Sequence, residues 1–259
     1  MINKGPTMSS NIRAPSLSQY LISGLRLGLI LSHTLLICVA LALTPRRSNR
    51  ARAKLLMSWG RGLMWLMGVK VTQEGAPPKE GVIVIANHTS YADIPILMSI
   101  RDCAFLAKSE VASWPLIGWG ARLAGTVFVD RSSPESRASS RAELKRRVEN
   151  GATILVFSEG TTTPRGEVHP LKPGMFHEAA SAQVPIQVVS LEYRERDAAW
   201  VGDDPLWPNF VRVYGRLQTG VRVCFRQELI RGEEGLEMAQ EAERWLKEEA
   251  QRAMELFET

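Results

Sequence analysis

Acidic residues are absent from the first 73 positions, where ten Lys or Arg stand without a counter-charge. From Glu74 onward the balance reverses to 22 basic against 27 acidic residues, so the formal net charge of +5 describes a basic front end and not a basic protein. Cysteine is scarce: Cys38, Cys103 and Cys224 lie far apart, without a C-x-x-C pair or a nearby His. That leaves no basis for a disulfide framework or a zinc site and suits a reducing compartment. Gly118 and Gly120 are not followed by a third glycine at Leu123, so the dinucleotide fingerprint is missing. The serine-hydrolase elbow G-x-S-x-G is missing too. The basic residues of the front end are separated by long apolar runs, with no aromatic-basic alternation. Nucleic acid is therefore not the expected partner; an anionic membrane surface is.

What the front end does have is apolar length. Residues 1–16, rich in Ser, Pro and Asn, read as a disordered lead. Residues 21–43 are almost wholly apolar, broken chiefly by Arg26, Ser32 and His33. As a helix these 23 residues reach about 35 Å, against a hydrocarbon core of about 30 Å. Arg26 lies about one turn from the start, where its side chain can snorkel to the interface. Ala40-Leu-Ala42 resembles a signal cleavage site, but the run exceeds a usual signal core, and Arg46, Arg47, Arg50, Arg52 and Lys54 follow directly. A retained anchor with that side in the cytoplasm is the expectation. Residues 55–69, with Trp59 and Trp65, are too short to span; they read as a helix in the interface or packed under the anchor, or as a core helix.

The chemistry concentrates in Val82-Ile-Val-Ile-Ala-Asn-His-Thr-Ser-Tyr-Ala-Asp93, an apolar run that ends in a polar cluster. The run is short, β-branched and unalternating, as a strand buried on both faces should be. His88 then stands at the carboxyl end of that strand, where open α/β sheets place their sites. An imidazole there can take a proton from a hydroxyl at neutral pH. Asp93 is close enough to fix its tautomer. The same letters also fit a capping box, Ser90-x-x-Asp93, in which Asp93 serves only helix amides. The residues alone leave both readings open.

Further apolar runs at 103–107, 126–130, 152–157, 184–190 and 221–225 read as strands, with a helix opened by Ser133-Pro134-Glu135 and ended near Asn150-Gly151. A Glu-rich amphipathic helix follows over 235–257, and 206–220 is ambiguous. This alternation predicts an α/β fold with a mostly parallel central sheet flanked by helices, preceded by an N-terminal membrane helix or helices. The expected division is an anchoring segment, 1–72, and a catalytic domain, 73–259. His88, Arg131 and Glu159 each directly follow an apolar strand and should meet at one sheet edge.

Four blocks, in order, carry a family resemblance: Asn87-His88-Thr-Ser-Tyr-Ala-Asp93, Gly125-Thr-Val-Phe-Val-Asp-Arg131, Phe157-Ser-Glu-Gly-Thr161 and Val184-Pro-Ile186. The chain resembles the glycerolipid acyltransferases, whose best-known members acylate lysophosphatidic acid, over residues 70–226. Lys108 and the 115–118 region are also similar. The resemblance implies transfer of a fatty acyl group from coenzyme A or acyl carrier protein to a lysolipid hydroxyl, with His88 as general base, Asp93 orienting it, and no metal or other cofactor. Arg131 would pair with phosphate, and Glu159, Gly160 and Thr161 would help hold the acceptor head group. Phosphatidate synthesis from 1-acylglycerol 3-phosphate is the first expectation.

Two residues depart from the pattern. Ser158 stands where the family usually has proline, and Thr162 where an arginine commonly follows Glu-Gly-Thr. Loss of a guanidinium removes a bidentate phosphate partner. Arg165 or Lys172 could compensate, yet the change also suits an acceptor without glycerol phosphate, and the Glu-Gly-Thr-Thr form resembles lyso-ornithine lipid acyltransferases. From other classes, a lipid hydrolase would use Ser158 or Ser90, and a non-catalytic membrane scaffold would have little use for His88, Asp93, Arg131 and Glu159 together.

Overall fold

The computed structural model describes residues 14–45, 47–77, 81–130 and 132–259. Two helices open it, α1 (Leu17–Leu43) and α2 (Asn49–Met67), followed by strand β1 (Val69–Glu74). A capping box between Ser16 and Gln19 starts α1. Gly68, left-handed at φ 69°, stops α2. Strands and helices then alternate: β2 (Ile83–Ala86), α3 (Asp93–Ile100), β3 (Ala104–Lys108), α4 (Ile117–Leu123), β4 (Val127–Val129), α5 (Pro134–Glu149), β5 (Ile154–Phe157), α6 (Gly174–Ser181), β6 (Ile186–Tyr193), α7 (Leu206–Tyr214), β7 (Thr219–Phe225) and α8 (Gly235–Glu258). As its sequence signals require, α5 begins with Ser133 accepting from the Ser136 amide and Pro134 in the first helical position.

The strands form one sheet in the order β1-β7-β6-β2-β5-β3-β4. All neighbours are parallel except β6 and β7. On β2, Val84 and Ala86 pack into a core with Leu56, Ile96 and Tyr214, while Ile83 and Ile85 pack on the other face with Leu144, Phe176 and Leu246. Both faces are covered, which is why this strand shows no polar alternation. From β2 the chain runs to β3 and β4 on one side, returns to β5 at β2's flank, and passes to β6 on β2's other flank. The carboxyl ends of β2, β5 and β6 therefore enclose the switch point at which such sheets bind ligands.

The N-terminal segment is built into this fold. The boundary expected at residue 72 falls inside β1, which pairs with β7 from Val69↔Thr219 to Glu74↔Cys224. Residues Leu56, Leu63, Met64 and Met67 of α2 are buried. At Gly60 a Cβ would lie 2.5 Å from the Ser99 amide nitrogen and 2.6 Å from the Pro95 carbonyl oxygen, so α2 and α3 touch backbone to backbone there. The helix at 55–69 is thus packed beneath α1 and against the sheet layer. α1 is long and apolar enough to cross a membrane by length and composition. Its Leu17, Leu21, Leu25, Leu36 and Leu43 are each at least two-thirds exposed.

Arg26 does not hang free at the helix start. Its guanidinium donates to the carbonyls of Tyr214 (2.7 Å), the last residue of α7, and of Arg216 (2.5 Å) and Leu217 (3.0 Å) in the turn that follows. Trp59 of α2 donates to Thr34 of α1, and Arg52 donates to Leu41 and Thr44 in α1's last turn and to Leu123 at the end of α4. These bonds hold α1 from Arg26 to Leu41 along the body of the protein.

Candidate active site

The site begins one residue past β2. Asn87 extends the ladder after the strand has ended: its side-chain amide accepts from the Leu191 amide at 2.8 Å and donates to the Leu191 carbonyl at 3.0 Å, as a backbone unit would. His88 follows, held by its own main chain. Its amide donates to Glu159 Oε1 at 2.8 Å, and its carbonyl accepts from the Thr163 amide at 2.7 Å. The imidazole stacks on Phe157, with ring centroids 4.0 Å apart and planes at 16°. His88 Nδ1 lies 2.8 Å from Asp93 Oδ2, with the His88 side chain 19% exposed and that of Asp93 fully buried. An ionised carboxylate only accepts, so the Nδ1 nitrogen carries the proton and Nε2 is left as the acceptor.

Asp93 pairs with the ring and also serves main-chain amides, but those of the loop ahead of α3; the N-cap of α3, Ala92, has no side-chain bond. Oδ2 also accepts from the amides of Thr89 (2.7 Å) and Ser90 (2.9 Å), and Oδ1 accepts from the Tyr193 hydroxyl (2.6 Å). The carboxylate therefore folds the loop around itself while it orients the ring.

The other residues expected at the site fall into two groups. Glu159 is 4% exposed, and its oxygens accept from the amides of His88 and His169 (2.9 Å), so this carboxylate faces the main chain and not a head group. Burial raises its pKa, and the two amide bonds oppose that. Gly160, at φ 76°, has the Lys172 Nζ 2.2 Å from where a Cβ would sit, so the ammonium is tucked against it. Thr161 and Lys172 are exposed, as is Lys108 at the end of β3. Arg131 lies outside the described residues. Arg165, one of two compensating cations expected from sequence, donates to the Tyr193 carbonyl at 2.6 Å and stands 5.3 Å over the Phe257 ring, behind the site. Thr162 turns its hydroxyl to the Trp200 carbonyl. Ser158 is 4% exposed and its hydroxyl makes no hydrogen bond to a described residue, which is not the setting of an activated nucleophile. Among the described residues no group of three or more His, Cys, Asp or Glu gathers as a metal site.

Sequence reasoning missed four contributors. Asn87 and Phe157 stand first in their blocks without an assigned role, and Thr163 lies two residues past the end of one, so their position beside His88 and Glu159 in the sequence was the available signal. Tyr193 carried none, because it reaches Asp93 from 100 residues away.

Comparison with known proteins gives the family. The acyltransferase family model matches residues 68–192, which contain His88, Asp93 and Glu159 and end one residue short of Tyr193. Over 212 residues the chain is 32% identical to a lyso-ornithine lipid O-acyltransferase of Pseudomonas aeruginosa, covering 79% of this chain and 78% of that protein. The chain belongs to the acyltransferase family. A 1-acyl-sn-glycerol-3-phosphate acyltransferase of Neisseria meningitidis is 30% identical over 151 residues, 58% of each chain. The crystal structure of the LPA acyltransferase PlsC from Thermotoga maritima superposes with a TM-score of 0.66 at 24% identity, covering 92% of this chain and 94% of that one, a likeness of fold.

In this acyltransferase, two carboxyls behind the dyad have separable effects. Glu159→Gln leaves one N–H facing a main-chain donor, so it should loosen the His88 loop. Turnover should fall by roughly ten-fold, about the loss of a hydrogen bond to a charged group, with the acceptor KM little changed; a rise in acceptor KM at constant kcat would return Glu159 to the head group. Glu192 is 1% exposed, accepts from Asn87 Nδ2 (3.1 Å) and the Gly166 amide (3.3 Å), and is pushed up by burial to about 8. The folded state thus binds a proton that the unfolded chain, near 4.5, has lost. The stability this contributes is full below pH 4.5 and disappears as pH rises through 8. Thermal unfolding should show Tm falling between pH 5 and 8.5 in the wild type and a flatter profile in Glu192→Gln.

Proposed function

We propose that this lysolipid acyltransferase acts by general-base catalysis through His88, with lyso-ornithine lipid as its acceptor. The His88–Asp93 pair carries the mechanism. Nε2 takes the proton of the acceptor hydroxyl as the oxygen attacks the thioester carbonyl carbon. The tetrahedral intermediate then collapses, the C–S bond breaks, and the leaving thiolate of coenzyme A or acyl carrier protein takes the proton back from the imidazolium. Asp93 stabilises that imidazolium throughout, and no acyl-enzyme forms. Catalysis of this kind is worth about 10²- to 10⁴-fold.

Thr162 supports the acceptor assignment. Its hydroxyl is committed to the Trp200 carbonyl, so the position offers no cation. What remains on this loop is Lys172 beside Gly160, a single ammonium that suits the carboxylate of an amino-acid head group better than a phosphate dianion. The relative aligned over most of both chains bears the lyso-ornithine name. Acylation of 1-acylglycerol 3-phosphate, with Arg131 as the phosphate partner, is the second reading, favoured by the relative from Neisseria. Purified protein given one acyl thioester and either lysolipid should show the higher kcat/KM with lyso-ornithine lipid. Thr162→Arg should raise use of lysophosphatidate, and folded His88→Ala should lose at least 10²-fold with both. Acylation of the phosphate acceptor alone would falsify the assignment of the acceptor while leaving the base intact.

The bonds along α1 also bear on how the enzyme meets its lipid. We infer that α1 lies in the membrane surface with the catalytic domain on the cytoplasmic side. A spanning helix would carry the carbonyls bound by Arg26, and the α7 end with them, into hydrocarbon. The exposed leucines at 17, 21 and 25, and again at 36 and 43, follow the i+4 and i+7 spacing of one apolar stripe. Basic residues Arg47, Arg50 and Lys54 follow at the membrane-surface end. An epitope placed before residue 14 should be reached by protease from the same side of the bilayer as the catalytic domain; access from the opposite side only would establish a span.

A further inference from the structure

The His-x4-Asp loop is gripped by β6 at both ends. Asn87, just before His88, bonds the main chain of Leu191, and two residues further along β6 the Tyr193 hydroxyl meets Asp93 Oδ1 at 2.6 Å. Tyr193 is 0% exposed and ends the strand on the side away from solvent. Its bond is unlike the others on this carboxylate. Thr89, Ser90 and His88 all use Oδ2, and Tyr193 alone among these partners occupies Oδ1. A carboxylate pinned through both oxygens cannot rotate about its terminal torsion, which is otherwise broad and soft.

We propose that Tyr193 is a positioning residue for acyl transfer: its phenol fixes the rotation of the Asp93 carboxylate and shares its charge, and thereby sets both the direction and the basicity of His88. The proposal rests on the reading of His88 as base. Burial keeps the phenol protonated, its pKa well above the ordinary tyrosine value, so it acts only as a donor. A hydrogen bond to the ionised form holds a carboxylate charged and draws off part of the charge otherwise felt by the imidazolium. Besides Tyr193 itself, the titratable groups facing Asp93 are His88 in the loop, Glu192 on β6 and Tyr214 on α7. Burial raises the last two, Glu192 to about 8.

Tyr193→Phe keeps the ring and removes the donor. In the full-length enzyme kcat should fall on the order of ten-fold, the size of one hydrogen bond to a charged group, with both KM values unchanged. The acidic limb of kcat/KM should move to higher pH, since an unshared carboxylate charge favours the imidazolium more strongly. In an Asp93→Asn background the same substitution should cause no further loss of kcat. Incorporation of 3-fluorotyrosine at position 193 preserves the shape and strengthens the donor, so it should move the limb to lower pH, and it serves if the phenylalanine variant does not fold. Profiles superimposable on wild type, a loss carried by KM alone, or full additivity with Asp93→Asn would overturn the proposal. A wild-type profile with no acidic limb would overturn the base assignment itself, and this inference with it.

Discussion

A carboxylate removed from water must have its charge met by donors, and Asp93, with no solvent exposure, has four. An isolated buried carboxylate would cost several kcal/mol. Here each donor that meets the cost also carries out a structural task. The amides of Thr89 and Ser90 close the loop, the Tyr193 hydroxyl ties it to β6, and the His88 Nδ1 proton aims the ring. The acid that begins α3 and the acid of the dyad are one residue because a single buried charge organises both. That is why spacing alone could not say whether Asp93 would serve amides, the ring or both.

The same economy explains Glu159. Its carboxylate lies just past the end of β5 as Asp93 lies beyond the end of β2, and it accepts from the main chain of the loops that follow β2 and β5. Parallel strands leave their last carbonyls and the following loop amides unpaired at the carboxyl edge, where no turn returns the chain directly. Glu159 and Asn87 fill those vacancies, Asn87 by continuing the β2–β6 ladder and Glu159 by joining the β2 loop to His169. His88 is thereby fixed through its backbone before its side chain makes any contact, and stacking on Phe157 leaves the ring little freedom beyond the Nδ1 bond.

The sheet core, the helices between strands and the placement of His88 and Glu159 just past strand ends were legible because burial on both faces writes a continuous apolar run into each central strand. β1 was not, since its edge position leaves Lys70, Thr72 and Gln73 exposed or half-exposed and its letters unremarkable. α7 was obscured by Pro208 within a short aromatic segment, although Phe210, Val213 and Tyr214 recur on one buried face. Glu159 could be placed but not understood, because the amide it serves at His88 is 71 residues away in sequence. Arg26 was read as a cation snorkelling out of an apolar helix, the ordinary reason for its position. Its partners, carbonyls 188 to 191 residues later, have no local signature.

Arg26 changes what the N-terminal helix is for. The carbonyls it takes close the end of α7, and the same helix supports the catalytic loop from beneath: Asn209 accepts from the Tyr91 hydroxyl at 3.2 Å, and Tyr214 packs edge-on against Tyr91 at 5.9 Å. Tyr91 lies between His88 and Asp93 in the chain. The helix with the exposed leucines and the loop that carries His88 thus both bear on one short helix of nine residues. A tether could be attached anywhere on the surface and still deliver the enzyme to a bilayer. A helix bonded at Arg26, Thr34 and Leu41 to α7, α2 and Arg52 is instead a wall of the fold, and on the proposed surface placement of α1 it would fix the height and tilt at which His88 meets the lipid. For an acceptor whose acyl chain stays in the membrane, that placement, with the proposed role of Nε2, would make the distance from bilayer to base a constraint set by packing and independent of the head group.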